Sequence, residues 1–333
     1  RHATDRPLRR ALRTVLLACP LFLTAPAAEL PVAEAGAEAG AEPGGAVAGP
    51  ARAGAEPSRG PAAGPKDGPM SPTAAETSKV SIQAIRYATI PGFPLAGLMM
   101  GAPPDERIDI AMVIWLVRLP NHAVLFDTGF HRDRWLKEFT VADYLRPDEA
   151  VALAGVRADQ VTDVVISHAH WDHLGGVDLF PNARVWIQKQ EYAYYTGDAW
   201  QPGGRSGGVD PEDVACLLRL NTAGRLRLVD GDDVEILPGL RVYTGARHTF
   251  ASQYLRVETP AGPFVLASDN CYLDRNLRER VPSATFDEAD RPKNLAAQRR
   301  MIALAGEAER VIPGHDPRQF ERFPSEGRVA RIH

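Results

Sequence analysis

Within the stretch "SHAHWDHLGG", three histidines and an aspartate fall inside six residues: His168, His170, Asp172 and His173 follow directly on the apolar run Val164-Val165-Ile166. Imidazole nitrogens and carboxylate oxygens are ligands suited to zinc and similar borderline cations. A loop at the end of a buried strand can fan such side chains inward while the strand holds their backbone rigid. A histidine-rich surface loop rarely follows an apolar strand or closes in a Gly-Gly pair like Gly175-Gly176. Four close ligands also exceed what one catalytic zinc with an open position takes from a single loop. Two ions are therefore implied.

The elements that must position this loop are short strands punctuated by turns, beginning at Lys79. Apolar patterning predicts strands at Val80–Arg86, Met112–Leu119, Ala123–Phe126, Asp163–Ser167, Arg184–Gln188, Leu226–Val229, Val234–Leu237, Leu240–Thr244, Tyr254–Glu258, Phe264–Ser268 and Arg310–Ile312. Helical spacing predicts helices near Asp148–Ala154, Pro211–Leu220 and Asn294–Ala305, the last ended by Gly306 in the C-cap role. So many strands with interspersed helices, in about 250 residues, point to two packed sheets with helices outside, an α/β sandwich in layers. No glycine-rich phosphate-binding motif follows any strand, so nucleotide binding has no signal behind it.

With its histidine loop placed after a buried strand, the sequence resembles the metallo-β-lactamase-fold superfamily over roughly Lys79 to His333. That resemblance implies a four-layer αβ/βα sandwich with the metal loops at one edge between the sheets. It also implies three later ligands in order, and the chain supplies His248 in "TGARHTFAS", Asp269 in "VLASDNCY" and His315 in "VIPGHDP". By the same resemblance His168, His170 and His248 would hold one divalent metal, and Asp172, His173 and His315 the other, with Asp269 bridging; zinc is the ion implied. "LFDTG", Leu125 to Gly129, matches the superfamily's Asp-Thr-Gly turn, which makes Asp127 a carboxylate that orients a ligand or its loop. One departure stands out: the familiar His-Thr-Pro-Gly-His segment is here "RHTFASQ", with Gln253 or a neighbour replacing the second histidine.

Asp269 argues against the true β-lactamase branch, whose sites generally lack that carboxylate, and His170 stands where flavo-diiron proteins place glutamate. Glyoxalase II-like thioesterases share all seven ligands. Tyr272, in "SDNCYLDRN", resembles the N-acyl homoserine lactonases, where the tyrosine hydroxyl points at the substrate carbonyl. The implied reaction is lactone opening: a water shared by two cations loses its proton near neutral pH and attacks the ring carbonyl. Tyr272 then donates to the oxyanion and Asp172 carries a proton to the leaving alkoxide. Another ester or thioester hydrolase of the same fold is the alternative, followed by a metal-binding protein without hydrolysis. The partner expected is a small lactone or ester.

Composition bounds the rest. The net charge of −4 carries no basic block, so nucleic acid is disfavoured as a partner. Residues 1 to 28 have the layout of a signal peptide: Arg6, Arg9, Arg10 and Arg13, an uncharged run from Thr14 to Ala28, and Ala25-Pro26-Ala27. That run is too short for a stable membrane span. Secreted or periplasmic location is expected, with a lipobox at Leu16–Cys19 a weaker variant. A cytoplasmic alternative applies if translation starts at Met70, the first methionine. Residues 29 to 78, rich in Ala, Gly and Pro, are expected to be a disordered linker, and 79 to 333 the catalytic domain. Cys216 and Cys271 are expected as free buried thiols. His2, His122, His131 and His333 are expected to be exposed or structural, without partners at ligand spacing.

Overall fold

Two long strands, β1 (Ser81–Pro94) and β2 (Arg107–Leu119), pair antiparallel and begin the first sheet. Along β2, Ile110, Met112, Ile114 and Leu116 enter one cluster of buried side chains, while Ala111, Val113, Trp115 and Val117 enter another. A strand covered on both faces reads as an unbroken apolar run, and side chains two apart share a face. The computed structural model describes residues 80–284 and 288–333. The expected signal peptide and linker therefore lie outside the described residues.

The chain continues through β3 (His122–Phe126), α1 (Asp133–Glu138), α2 (Pro147–Leu153), β4 (Asp163–Val165), α3 (Trp171–Leu174), β5 (Arg184–Gln188), α4 (Lys189–Tyr195), α5 (Pro211–Thr222) and β6 (Leu226–Val229). A second sheet is built from β7 (Val234–Leu237), β8 (Leu240–Thr244), β9 (Gln253–Val257), β10 (Phe264–Ser268) and, after α6 (Asp274–Glu279) and α7 (Arg291–Ala305), β11 (Val311–Pro313). The chain then returns through α8 (Gln319–Arg322), β12 (Ser325–Glu326) and β13 (Val329–Arg331) to the first sheet. The two sheets run β12-β13-β1-β2-β3-β4-β5-β6 and β11-β10-β9-β8-β7.

Three buried clusters separate four layers. Val113, Trp115, Val165, Val242, Leu255 and Leu266 fill the space between the sheets. Met112, Val164, Leu174 and Leu217 pack the outer face of the first sheet against its helices, and Tyr254, Val265 and Met301 pack the second sheet against α7. The architecture is the αβ/βα sandwich expected from the sequence.

Edges differ from expectation where local chemistry is irregular. β1 extends to Pro94, well past Arg86, because two register shifts let it bend along β2; Gly92 sits at one of them with a φ of 61°. β4 stops at Val165, two residues short of the predicted Ser167, because the backbone there turns into the histidine loop. α7 starts at Arg291 with Pro292 in its first turn, where proline's missing N–H costs nothing. Gly306 takes the left-handed C-cap role with a φ of 84°. Among the described residues, no helix is long and apolar enough to cross a membrane.

Candidate metal centre

β3, β4 and β5 run parallel, as do β10 and β11, so the loops after β3, β4, β10 and β11 leave from strand C-terminal ends. The β8–β9 connection joins them. All seven sequence-predicted ligands sit in or just beyond these loops: His168 and His170 after β4, Asp172 and His173 on the single turn of α3 that follows, His248 between β8 and β9, Asp269 after β10 and His315 after β11. Close backbone approach requires glycine here. A Cβ on Gly176 would lie 2.2 Å from the carbonyl oxygen of Thr128, so the β3 and β4 loops pack only without one.

The structure brings the seven side chains into two groups, His168, His170, His248 and Asp269 in one and Asp172, His173 and His315 in the other. His170 Nδ1 stands 3.1 Å from both His168 Nε2 and His248 Nε2. A tetrahedral zinc with Zn–N bonds of about 2.0–2.1 Å spaces its nitrogens by about 3.3 Å. Asp269 reaches both groups with different oxygens. Its Oδ2 lies 3.2 Å from His248 Nε2 and 3.7 Å from His168 Nε2, and its Oδ1 lies 3.0 Å from His315 Nε2 and 3.3 Å from His173 Nε2. Asp172 Oδ2 completes the second group, 3.4 Å from His173 Nε2 and 3.7 Å from His315 Nε2. His173 Nε2 and Asp269 Oδ1 are buried without a hydrogen-bond partner. A buried orphan of that kind is costly, and a cation between the two atoms would satisfy both. The donor set fits divalent metal.

Three of the remaining ring nitrogens, those of His168, His173 and His315, are held from behind. Asp127 Oδ2 lies 2.8 Å from His173 Nδ1 and accepts from the Ser167 and Ser268 hydroxyls, while its Oδ1 accepts from the Ser167 amide. Ser167 Oγ is in turn 2.8 Å from His168 Nδ1, and His315 Nδ1 faces the Ala111 carbonyl at 3.0 Å. One carboxylate thus orients an imidazole in each group, His173 directly and His168 through Ser167, leaving Nε2 free to ligate. Asp127 adopts a φ of 62° and Ser268 one of 46°, sparsely populated backbone for such residues. Ser167 and Ser268 escape sequence reasoning; adjacency to His168 and Asp269 is their only signal.

Burial, reinforced by His173 and His170, holds His168 well below the usual imidazole range, and burial with His248 takes His170 down to about 3. Neutral imidazole is the form that ligates. Burial opposes charge on His173 and His315 as well, but Asp269 and Asp172 outweigh it and raise both. Burial likewise opposes ionisation of Asp269, yet His173 and His315 hold its carboxyl well below the usual range.

Tyr272 is buried, its ring edge-on to His248 at 5.9 Å and tilted on His315 at 5.7 Å, so it touches one imidazole from each group. It lines a cavity shared with His170, Asp172, Asp269 and His315, whose lining also includes Ile90, Phe93, Leu98, Ile110 and Met112. Tyr87, fully buried, donates to the Asp172 carbonyl at 3.2 Å.

His122 and His131 are structural, as expected: they lie 2.9 Å from Asp163 and 2.8 Å from Asp178, carboxylates that chain spacing alone could not link to them. Neither belongs to a ligand group. His2 lies outside the described residues. In the departed segment it is Ser252 that spans the loop, donating to the Ala246 carbonyl at 2.7 Å, while Gln253 ties β9 to β4 through Ile166 and Ser167. Cys216 and Cys271 are free and buried.

A family model described as the metallo-beta-lactamase superfamily matches residues 112–315. An N-acyl homoserine lactonase of Bacillus sp is 27% identical over 201 residues, spanning 55% of this chain and 73% of that relative. Among solved structures, a quorum-quenching N-acyl homoserine lactone lactonase aligns with a TM-score of 0.61 at 19% identity, over 75% of this chain and 97% of that one. A dizinc quorum-quenching lactonase in complex with a product aligns with a TM-score of 0.54 at 17% identity, over 77% and 95%. At such identities the structural likeness speaks for the fold alone.

Proposed function

This chain belongs to the metallo-beta-lactamase superfamily and is a metal-dependent hydrolase, and we propose that it opens the ring of an N-acyl homoserine lactone-type substrate at two divalent cations. The observation that carries this reading is the cavity whose lining combines Tyr272, Asp172 and members of both ligand groups with the apolar side chains Ile90, Phe93, Leu98, Ile110 and Met112. A lactone bearing an apolar acyl chain matches both kinds of lining: a reactive carbonyl for the polar side chains and hydrocarbon for Phe93, Leu98 and Met112. The names of the relatives agree with it, one a homoserine lactonase and one a dizinc lactonase.

His168, His170 and His248 would hold one ion, Asp172, His173 and His315 the other, and Asp269 would serve both. When bound, such ions supply Lewis acidity, acidifying water and polarising a carbonyl. The chain's own groups do the remainder. Tyr272, fixed between His248 and His315, donates its hydroxyl to the carbonyl oxygen as negative charge develops there, a contribution often worth about 3 kcal/mol per donor. Asp172 is the most accessible of the site carboxylates, its side chain 13% exposed against 5% for Asp269. A proton taken up on its carboxylate can be passed to the ring oxygen, the poor alkoxide leaving group. The Tyr87 hydroxyl fixes the Asp172 backbone for that transfer.

The test is a pH-stat assay of the metal-loaded protein against homoserine lactones of varied acyl length, thioesters, phosphotriesters and β-lactams. Lactones with apolar chains should be turned over fastest. A preference for thioesters, with lactones inert, would move the protein to the glyoxalase II-like alternative.

A further inference from the structure

Glu191 has no part in the chemistry described so far, yet it is a carboxylate of 0% exposure on α4, one element removed from the metal loops. Its Oε1 accepts from the Ala169 amide at 2.9 Å and from the Thr249 hydroxyl at 2.6 Å, and its Oε2 accepts from the Ala251 amide at 2.6 Å. Ala169 lies between His168 and His170. Thr249 follows His248 directly, and Ala251 closes the same loop. One side chain therefore joins the two loops that carry the three imidazoles of the first group, loops that leave different sheets. The Gln253 bonds to Ile166 and Ser167 also link the sheets, but they act on the strand ends behind the ligands. No bond of Glu191 reaches the loops of Asp269 or His315.

We propose that Glu191 is a positioning residue that keeps His168 and His170 in register with His248, and that it sets the affinity of this group for its ion without setting that of Asp172, His173 and His315. The proposal rests on the two-cation reading above. Burying an anion is tolerated only when it is fully hydrogen-bonded, and the donors that satisfy Glu191 are those whose position fixes the imidazoles. Glutamine has nearly the same shape but can place only one accepting oxygen. The NH2 of Glu191→Gln meets a donor either way round: facing the Ala251 N–H it removes one of the two bonds to the His248 loop, and facing the Ala169 and Thr249 pair it breaks the tie to the loop of His168 and His170.

The experiment measures zinc dissociation constants for each ion by chelator competition, together with the cobalt(II) absorption spectrum and the thermal midpoint of the metal-free protein. His248→Ala marks the binding step that belongs to the first group. Glu191→Gln should weaken that same step by about 10- to 100-fold, as loss of an outer-shell partner does, and leave the other step within about threefold. Thr249→Val removes one donor and keeps the carboxylate, so it should weaken the same step more mildly, and it decides the matter if Glu191→Gln does not fold. An unchanged first step, or equal weakening of both steps in proportion to a lowered thermal midpoint, overturns the proposal in favour of a merely structural anion. Should the wild type take up a single ion, the two-cation reading fails by itself. Glu191 is then upheld if Glu191→Gln and His248→Ala both loosen that ion, and overturned if only the latter does.

Discussion

Removing one oxygen atom from Tyr272 separates chemistry from packing. Tyr272→Phe keeps the ring between His248 and His315, so metal content should stay at the wild-type level. Turnover of homoserine lactones should fall by about a hundredfold, or somewhat less because bound cations share the charge. Steady-state kinetics and elemental analysis on the same preparation check this, and unchanged lactone turnover would leave only a generic hydrolase. At this scale much of the candidate site was legible. His168, His170, Asp172 and His173 fall within six residues, and candidate ligands so close in sequence announce themselves. His248, Asp269 and His315 each follow a strand, so order and resemblance placed them. Glu191 was not legible, because "KQEYAYY" reads as an ordinary short helix and its partners lie 22, 58 and 60 residues away.

Elements hold together through a different carboxylate. Asp163 on β4, buried with no exposure, accepts from Arg184 and Trp186 at 2.9 Å each and from Thr162 at 2.8 Å, and its Oδ2 lies 2.9 Å from His122 Nδ1. Burial works against its charge, yet the donors, Arg184 first, hold it below the usual carboxylate range. Because its folded pKa is depressed, its stabilisation is complete above the unfolded value of about 3.9 and is lost as pH falls through the folded one. Asp163→Asn should therefore cost about 2 kcal/mol at pH 7, and the gap to wild type should close as pH drops below about 4. Urea unfolding at both pH values measures it. β3, β4 and β5 were legible as apolar runs bounded by turns. α3, a single turn of Trp171–Leu174, was not, because four residues show no period; β12 and β13 are likewise too short, and partly too polar, to signal themselves.

Across the whole molecule, the ligand loops close one edge of a sandwich whose sheets meet through Trp115, Leu255 and Leu266. Elemental analysis should find about two divalent ions per chain. Stripping them with a chelator should lower the thermal midpoint by on the order of ten degrees, restored by zinc, since a ligand bound only to the folded state stabilises by mass action. A chain beginning at Met70 should keep full turnover, because the Ala-, Gly- and Pro-rich sequence before it has too few large apolar side chains to form a core. Layering was legible from the density of strands, whereas the return of the chain to its first sheet was not. That return has a consequence in time. β13 pairs with β1, Gln83 opposite Arg331, so a strand made at the start of the domain waits for a neighbour synthesised roughly 250 residues later, or about 12–50 seconds at ordinary ribosome speeds. Through that interval the outer edge of β1 is open to any other extended chain, and ribosome-bound fragments ending before residue 329 should need a chaperone that the released protein does not.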